Sequence, residues 1–211
     1  MGTAGLLPSQ CGGRYLKNKL ADDLEATLEN TWIEFGIDSW MSVNNWNFFK
    51  VRPGNHPVRR IAAMSHLLVR YRKTGLLAGL EEKLKEATEA TGYRSLEQAL
   101  VVTPDSYWGI YSDFGLPALG ATPALLGEER AVDIVINVLL PFAFARDEHS
   151  EKTLKFYRSY RASAENSLVK HMRQQLGIGR YLVNTACRQQ GLIHIYQTWC
   201  LEGKCNRCPL G

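Results

Sequence analysis

Apolar residues recur every three to four positions through most of the chain, and the predicted elements follow from that period. In residues 14–35, Leu16, Leu20, Leu24, Leu28 and Trp32 stand four apart, Ile33 and Phe35 widen the stripe, and Asp22, Asp23, Glu25 and Glu29 fall between them. This spacing gathers the apolar side chains on one face of a helix, which Gly36 can end. Residues 57–74 predict a second helix, with Pro57 at the first position, where a missing N–H costs nothing. Its buried face is expected to carry Val58, Ile61, Ala62, Ser65, Leu68 and Val69, leaving Arg59, Arg60, Arg70, Arg72 and Lys73 on the other side. The last three lie in the final turn, where cations also complement the helix dipole. Residues 76–91 give an amphipathic helix that is acidic outside, and Ser95-Leu-Glu-Gln98 has the spacing of a capping box opening a short one. The apolar run 131–145 reads as a buried core helix that Pro141 should kink. Residues 151–160, 167–176 and 183–199 complete the helices.

Two stretches lack a clean period. Residues 37–51 are rich in Trp40, Trp46, Phe48 and Phe49 and are expected to form an irregular hook with its aromatics buried. Residues 103–123 hold Pro104, Gly109, Gly115, Pro117, Gly120 and Pro123 and predict a long loop, packed through Tyr107, Trp108, Tyr111 and Phe114. No convincing alternating strand, Asn-Gly hairpin or internal repeat is present. The expected fold is all-α: a compact domain of about seven or eight helices over residues 1–211, with a cysteine-rich tail at 200–211.

Composition narrows the class. With 211 residues, 45% hydrophobic and 22% charged, the chain is globular and long enough to bury a core without disulfides. The run 131–145 is interrupted by Asp133, Asn137 and Pro141 and falls short of the ~20 residues of a bilayer span, so no membrane role is expected. No basic residues precede an apolar stretch at the N-terminus, which argues against a secretory signal and for a cytoplasmic setting. The net charge of +4 is segregated. Residues 1–51 carry 4 basic and 6 acidic side chains, 52–73 carry 6 and none, 74–151 carry 5 and 13, and 152–211 carry 10 and 2. Blocks of this size can pair with each other inside the fold, or can offer a basic face to an anionic partner.

Three of the five cysteines, Cys200, Cys205 and Cys208, fall in the last twelve residues with C-x4-C-x2-C spacing. Two intervening residues let sulfurs converge across a tight turn, which is metal-ligand geometry in a reducing compartment. Zinc or an iron–sulfur cluster would need a fourth ligand. Cys187 is the first choice, but an unbroken helix from 183 to 199 would hold it ~20 Å from Cys200; either the helix breaks at Gly191, or Cys187 is core and the fourth ligand comes from elsewhere, with Cys11 and His194 the other candidates. The alternative is that Cys205 and Cys208 are free or reversibly oxidised thiols. Cys208-Pro209 is similar to ferredoxin-type runs in which proline follows a ligand cysteine. The ending also resembles the cluster loop of helical DNA glycosylases, with a first gap of four residues in place of six.

A nucleic-acid surface is suggested by Arg52, Arg59, Arg60, Arg70, Arg72 and Lys73, with Trp46, Phe48 and Phe49 just before them. A solvated helix face pairing with the acidic segment 74–151 explains the same residues. Catalysis has little support: His56, His66, His149, His171 and His194 are scattered, and there is no nucleophile elbow, zinc-protease motif or phosphate loop. His66 and His194 read as buried histidines, and Asp113 as a turn residue.

Ala4-Gly-Leu-Leu-Pro8, the run from Val51 to Ala63, Asp133 to Phe142, Asn184 to His194 and the cysteine tail together resemble the uncharacterised bacterial domain-of-unknown-function family 2851. The resemblance spans essentially the whole chain. It implies the C-terminal half of a protein about twice as long, whose N-terminal half carries a pattern similar to a metal-dependent nuclease core. On that footing the chain is expected to be a non-catalytic accessory module of a nuclease-like bacterial protein, binding DNA through the basic helix and stapled by a cysteine-bound metal or iron–sulfur cluster. The alternative is a structural or protein-interaction domain with no nucleic-acid role.

Overall fold

The computed structural model describes residues 1–11, 19–90, 92–104, 106–120, 122–146 and 151–208. Leu16 and the predicted start of the first helix, and likewise Thr91, His149 and Pro209, lie outside the described residues. Among the described residues the fold is all-α apart from one small hairpin, and no helix is long and apolar enough to cross a membrane. The helices are α1 (Lys19–Phe35), α2 (Pro57–Arg70), α3 (Leu76–Ala90), α4 (Arg94–Leu100), α5 (Ser106–Ile110), α6 (Glu128–Ile134), α7 (Leu140–Arg146), α8 (Glu151–Ser159), α9 (Ser167–Gln175) and α10 (Ala186–Ile195). The hairpin pairs β1 (Tyr111–Asp113) with β2 (Leu116–Pro117), antiparallel. The domain read over residues 1–211 is built from two compact units, each assembled from two stretches: Met1–Leu76 with Leu100–Gly127, and Leu77–Ala99 with Glu128–Gly211.

In unit 1 the stretch predicted as a loop is packed, as its aromatics suggested, and it acquires α5 and the hairpin. Tyr107 meets Trp108 edge-on at 5.0 Å and stacks on Tyr111 at 4.6 Å, while Phe114 is fully buried. Gly115, at φ 64, supplies the left-handed turn between β1 and β2. Val102 and Leu126 exchange two backbone hydrogen bonds that close the stretch at its ends.

The hook departs from expectation. Trp46 is half-buried and donates its indole N–H to the Ala4 carbonyl at 2.8 Å, but Trp40 and Phe49 are exposed. Helix α2 departs too: Val58, Arg59, Ala62, Ala63 and Leu67 are buried, whereas Leu68 and Val69 are exposed. The buried stripe is turned by one residue position, ~100° about the axis.

In unit 2, α6 runs into α7 through a π-helical turn, Val135–Leu139. Pro141 accounts for it. The proline has no N–H and its ring crowds the preceding turn, so the helix widens there instead of breaking. Helix α9 is capped by Asn166, whose side chain accepts from the Val169 N–H at 2.8 Å, and α10 by Thr185, which accepts from Arg188 at 3.4 Å. Val169, Met172, Val183 and Leu192 form the core between them.

The capping box at 95–98 does not form, because α4 already begins at Arg94, which puts Ser95 inside the helix, and the Gln98 amide donates to Glu128 Oε1 at 3.1 Å; beside it the Glu97 carboxylate is turned inward. That carboxylate accepts from the Tyr160 hydroxyl at 2.7 Å and from Arg161 Nε and Nη2 at 2.9 and 2.7 Å. A buried carboxylate met by a guanidinium fork and a phenol is fully answered, which fastens α4 to the end of α8.

Candidate functional site

The six bases expected on nucleic acid separate into two groups. Arg59 is 0% exposed; its Nη1 donates to the carbonyls of Trp108 at 3.3 Å and Tyr111 at 2.9 Å, and its Nη2 to that of Pro123 at 2.7 Å. Burial, and then the nearby charge of Arg60, lower its pKa. Arg60 is half-buried and donates to the Leu125 carbonyl at 2.7 Å and to Asn55 Oδ1. The expectation that Arg59 faces a nucleic acid is therefore corrected. The turns of segment 104–126 leave carbonyls pointing inward, and one planar guanidinium can serve several of them. Arg70 is exposed yet donates to the Val101 carbonyl at 2.9 Å, whereas Arg52, Arg72 and Lys73 stand at the surface.

Beside the start of α2, His56 lies under the Phe48 ring, stacked at 5.3 Å, and its Nε2 is 3.5 Å from Asp113 Oδ2. Asp113 Oδ1 accepts from the Phe114 N–H at 2.9 Å, the turn-holding role read from sequence. Of the two histidines read as buried, His66 is half-buried and His194 is exposed.

Cys187 is not brought to the cysteines of the tail. Helix α10 continues without interruption through a second π-helical turn, Tyr196–Cys200, so Gly191 does not break it. Cys187 and Cys200 thus sit near opposite ends of one rod, ~20 Å apart, which removes Cys187 as a fourth ligand beside Cys200. Cys200 packs instead against the apolar core of α9 and α10, Cys205 is exposed, and Cys208 is half-buried. Cys11 is buried in unit 1, with its thiol 3.5 Å from the Gly5 carbonyl. Among the described residues no three His, Cys, Asp or Glu side chains form a group that could hold a metal ion.

A site that the sequence reading missed lies in unit 2. A cavity of about 420 Å³ opens between the π-helical turn and α8, walled by Ile136, Leu140, Pro141 and Phe144, with Tyr157 and Gln190 at its polar side. Gln190 donates to Asn137 Oδ1 at 3.1 Å, and Asn137 donates to the Asp133 carbonyl at 2.8 Å. Burial, with Cys187 nearby, raises the pKa of Tyr157. The signal in the sequence was Pro141 within an apolar run, which reports an irregular helix but does not say what the irregularity borders.

The family model for "Protein of unknown function (DUF2851)" matches residues 1–166. The chain belongs to the DUF2851 family. That match takes in all of unit 1 in this DUF2851 chain and ends ahead of α9, α10 and the cysteine tail. No curated protein and no solved structure matches the chain.

Proposed function

We propose that this DUF2851 chain is a non-catalytic helical accessory module whose unit 1 docks on another protein domain through the outer face of α2. The orientation of that helix supports the reading. It turns Arg59 inward and leaves Met64, Leu68 and Val69 at 49%, 54% and 64% exposure. Half-buried Ile61 extends Met64 and Leu68 into a row at helical spacing, the form in which a helix anchors in a groove. Exposed Ile33, Phe35 and Phe49 add to the apolar surface of unit 1. Arg70, Arg72 and Lys73 at the end of α2 suit a partner with an acidic rim. The nuclease-like domain implied by the family resemblance is the proposed partner.

The test is co-purification with the N-terminal domain of a longer DUF2851 protein. Capture is expected for the unaltered chain and loss of capture for Met64→Glu with Leu68→Glu; no capture at low salt would overturn the reading. The exposure of Arg52, Arg72 and Lys73 favours a second reading, DNA binding through these three bases. It requires affinity that falls steeply with salt and weakens on charge reversal at Arg72 and Lys73.

A further inference from the structure

We propose that the cavity between the π-helical turn and α8 in unit 2 binds a small neutral molecule with an apolar body and one N–H or O–H donor. The backbone supplies the first argument. In the π-helical turn the Leu140 N–H bonds to the Val135 carbonyl. Leu140 would be the donor to Ile136 in an α-helix and Pro141 the donor in a π-helix, but the first is taken and the second has no N–H. The Ile136 carbonyl is thus left without a helical donor, and Ile136, Leu140 and Pro141 all line the cavity. A buried acceptor left unmet costs free energy that a ligand donor recovers.

The walls supply the second argument. The lining side chains are aliphatic, aromatic, amide, hydroxyl or phenol, and none is a carboxylate, ammonium, guanidinium or imidazole. An ionic ligand would lose its hydration there without a counter-charge. Hydrogen bonds from Gln190 to Asn137 and from Asn137 to the Asp133 carbonyl hold these amides in place before anything binds. The volume, about 420 Å³, lies in the range of small-molecule pockets.

Indole is a suitable probe, compared with N-methylindole, which has the same body without the donor, and indoleacetate, which adds a charge. Saturation-transfer NMR titration of the full chain is expected to show saturable indole binding, with N-methylindole weaker by about tenfold and indoleacetate weaker than indole. Leu154→Trp, which fills the cavity, is expected to abolish saturable binding with the circular dichroism spectrum unchanged. Pro141→Ala restores the missing N–H and regularises the helix; it is expected to keep indole binding and erase the preference over N-methylindole. This second variant reads the donor contact even if the first fails to fold. The proposal is overturned by absence of saturable indole binding, by equal affinities for indole and N-methylindole, or by a preference that survives Pro141→Ala.

Discussion

Arg59 is one turn into α2, next to Arg60, and periodicity treats the two alike, yet three inward carbonyls of the 104–126 segment converge on the first. Removing its guanidinium leaves those carbonyls buried without donors. Arg59→Met is expected to lower unfolding stability by about 3 kcal/mol, and Arg59→Lys by less, because one ammonium cannot span the same acceptors. Arg72→Met, at the surface, should stay within about 0.5 kcal/mol. Urea unfolding of the three variants checks the ranking. What hid this residue in the sequence is that its partners are backbone atoms, which carry no residue type. Asp113 was legible because its partner is the next residue in the chain.

Tyr107 gives a pH dependence. Burial pushes its pKa up to about 12, with the Gly115 N–H bond to its oxygen acting the other way and the Asp113 charge adding to the rise. In the unfolded chain the phenol titrates near 10. Above that value the unfolded state releases a proton that the folded state keeps, so stability is full below about pH 10 and falls as pH rises through 12. The loss over this window is about 2–3 kcal/mol. Buried Tyr160, raised by burial and by donating to Glu97, adds to the same trend in unit 2. Tyr107→Phe should make the decline shallower by about one proton, read from urea midpoints at successive pH values.

At the scale of elements, the helices were legible because their apolar positions repeat over two turns or more, and Pro57, Gly36 and Pro141 marked real events. The facing of α2 was not. A stripe containing Ile61, Leu68 and Val69 looks like a core face, and only the carbonyls awaiting Arg59 turn the helix the other way. The capping box failed because α4 starts one residue early, at Arg94, leaving Ser95 inside the helix, while its neighbour Glu97 is held by Tyr160 and Arg161, over sixty residues away in sequence. Caps that did form differ in quality. Asn166→Ala is expected to cost about 1 kcal/mol and Thr185→Ala about half as much, since the Asn166 bond is 2.8 Å and that of Thr185 3.4 Å. Thermal unfolding of both variants tests the order.

For the whole molecule, the charge blocks find part of their answer within unit 2, where Arg161 of the basic final third pairs with Glu97 of the acidic segment. Each unit buries apolar side chains of its own: Phe114, Leu125 and Val58 in one, and Val169, Met172 and Leu192 in the other. Each unit closes over two stretches of chain, so sequence order alone reads as one domain. Stability differs from one part of a structure to another, and a lesion in the core of one unit is expected to be felt first where it is made. Amide hydrogen exchange on Arg59→Met is therefore expected to show faster exchange across Met1–Leu76 and Leu100–Gly127, with Leu77–Ala99 and Glu128–Gly211 changed little. Tyr160→Phe, which removes the hydroxyl bond to Glu97, should give the reverse pattern. If either variant instead loses protection evenly along the chain, the two units unfold as one cooperative body, and the apolar face of α2 would have to be judged against the stability of the entire chain.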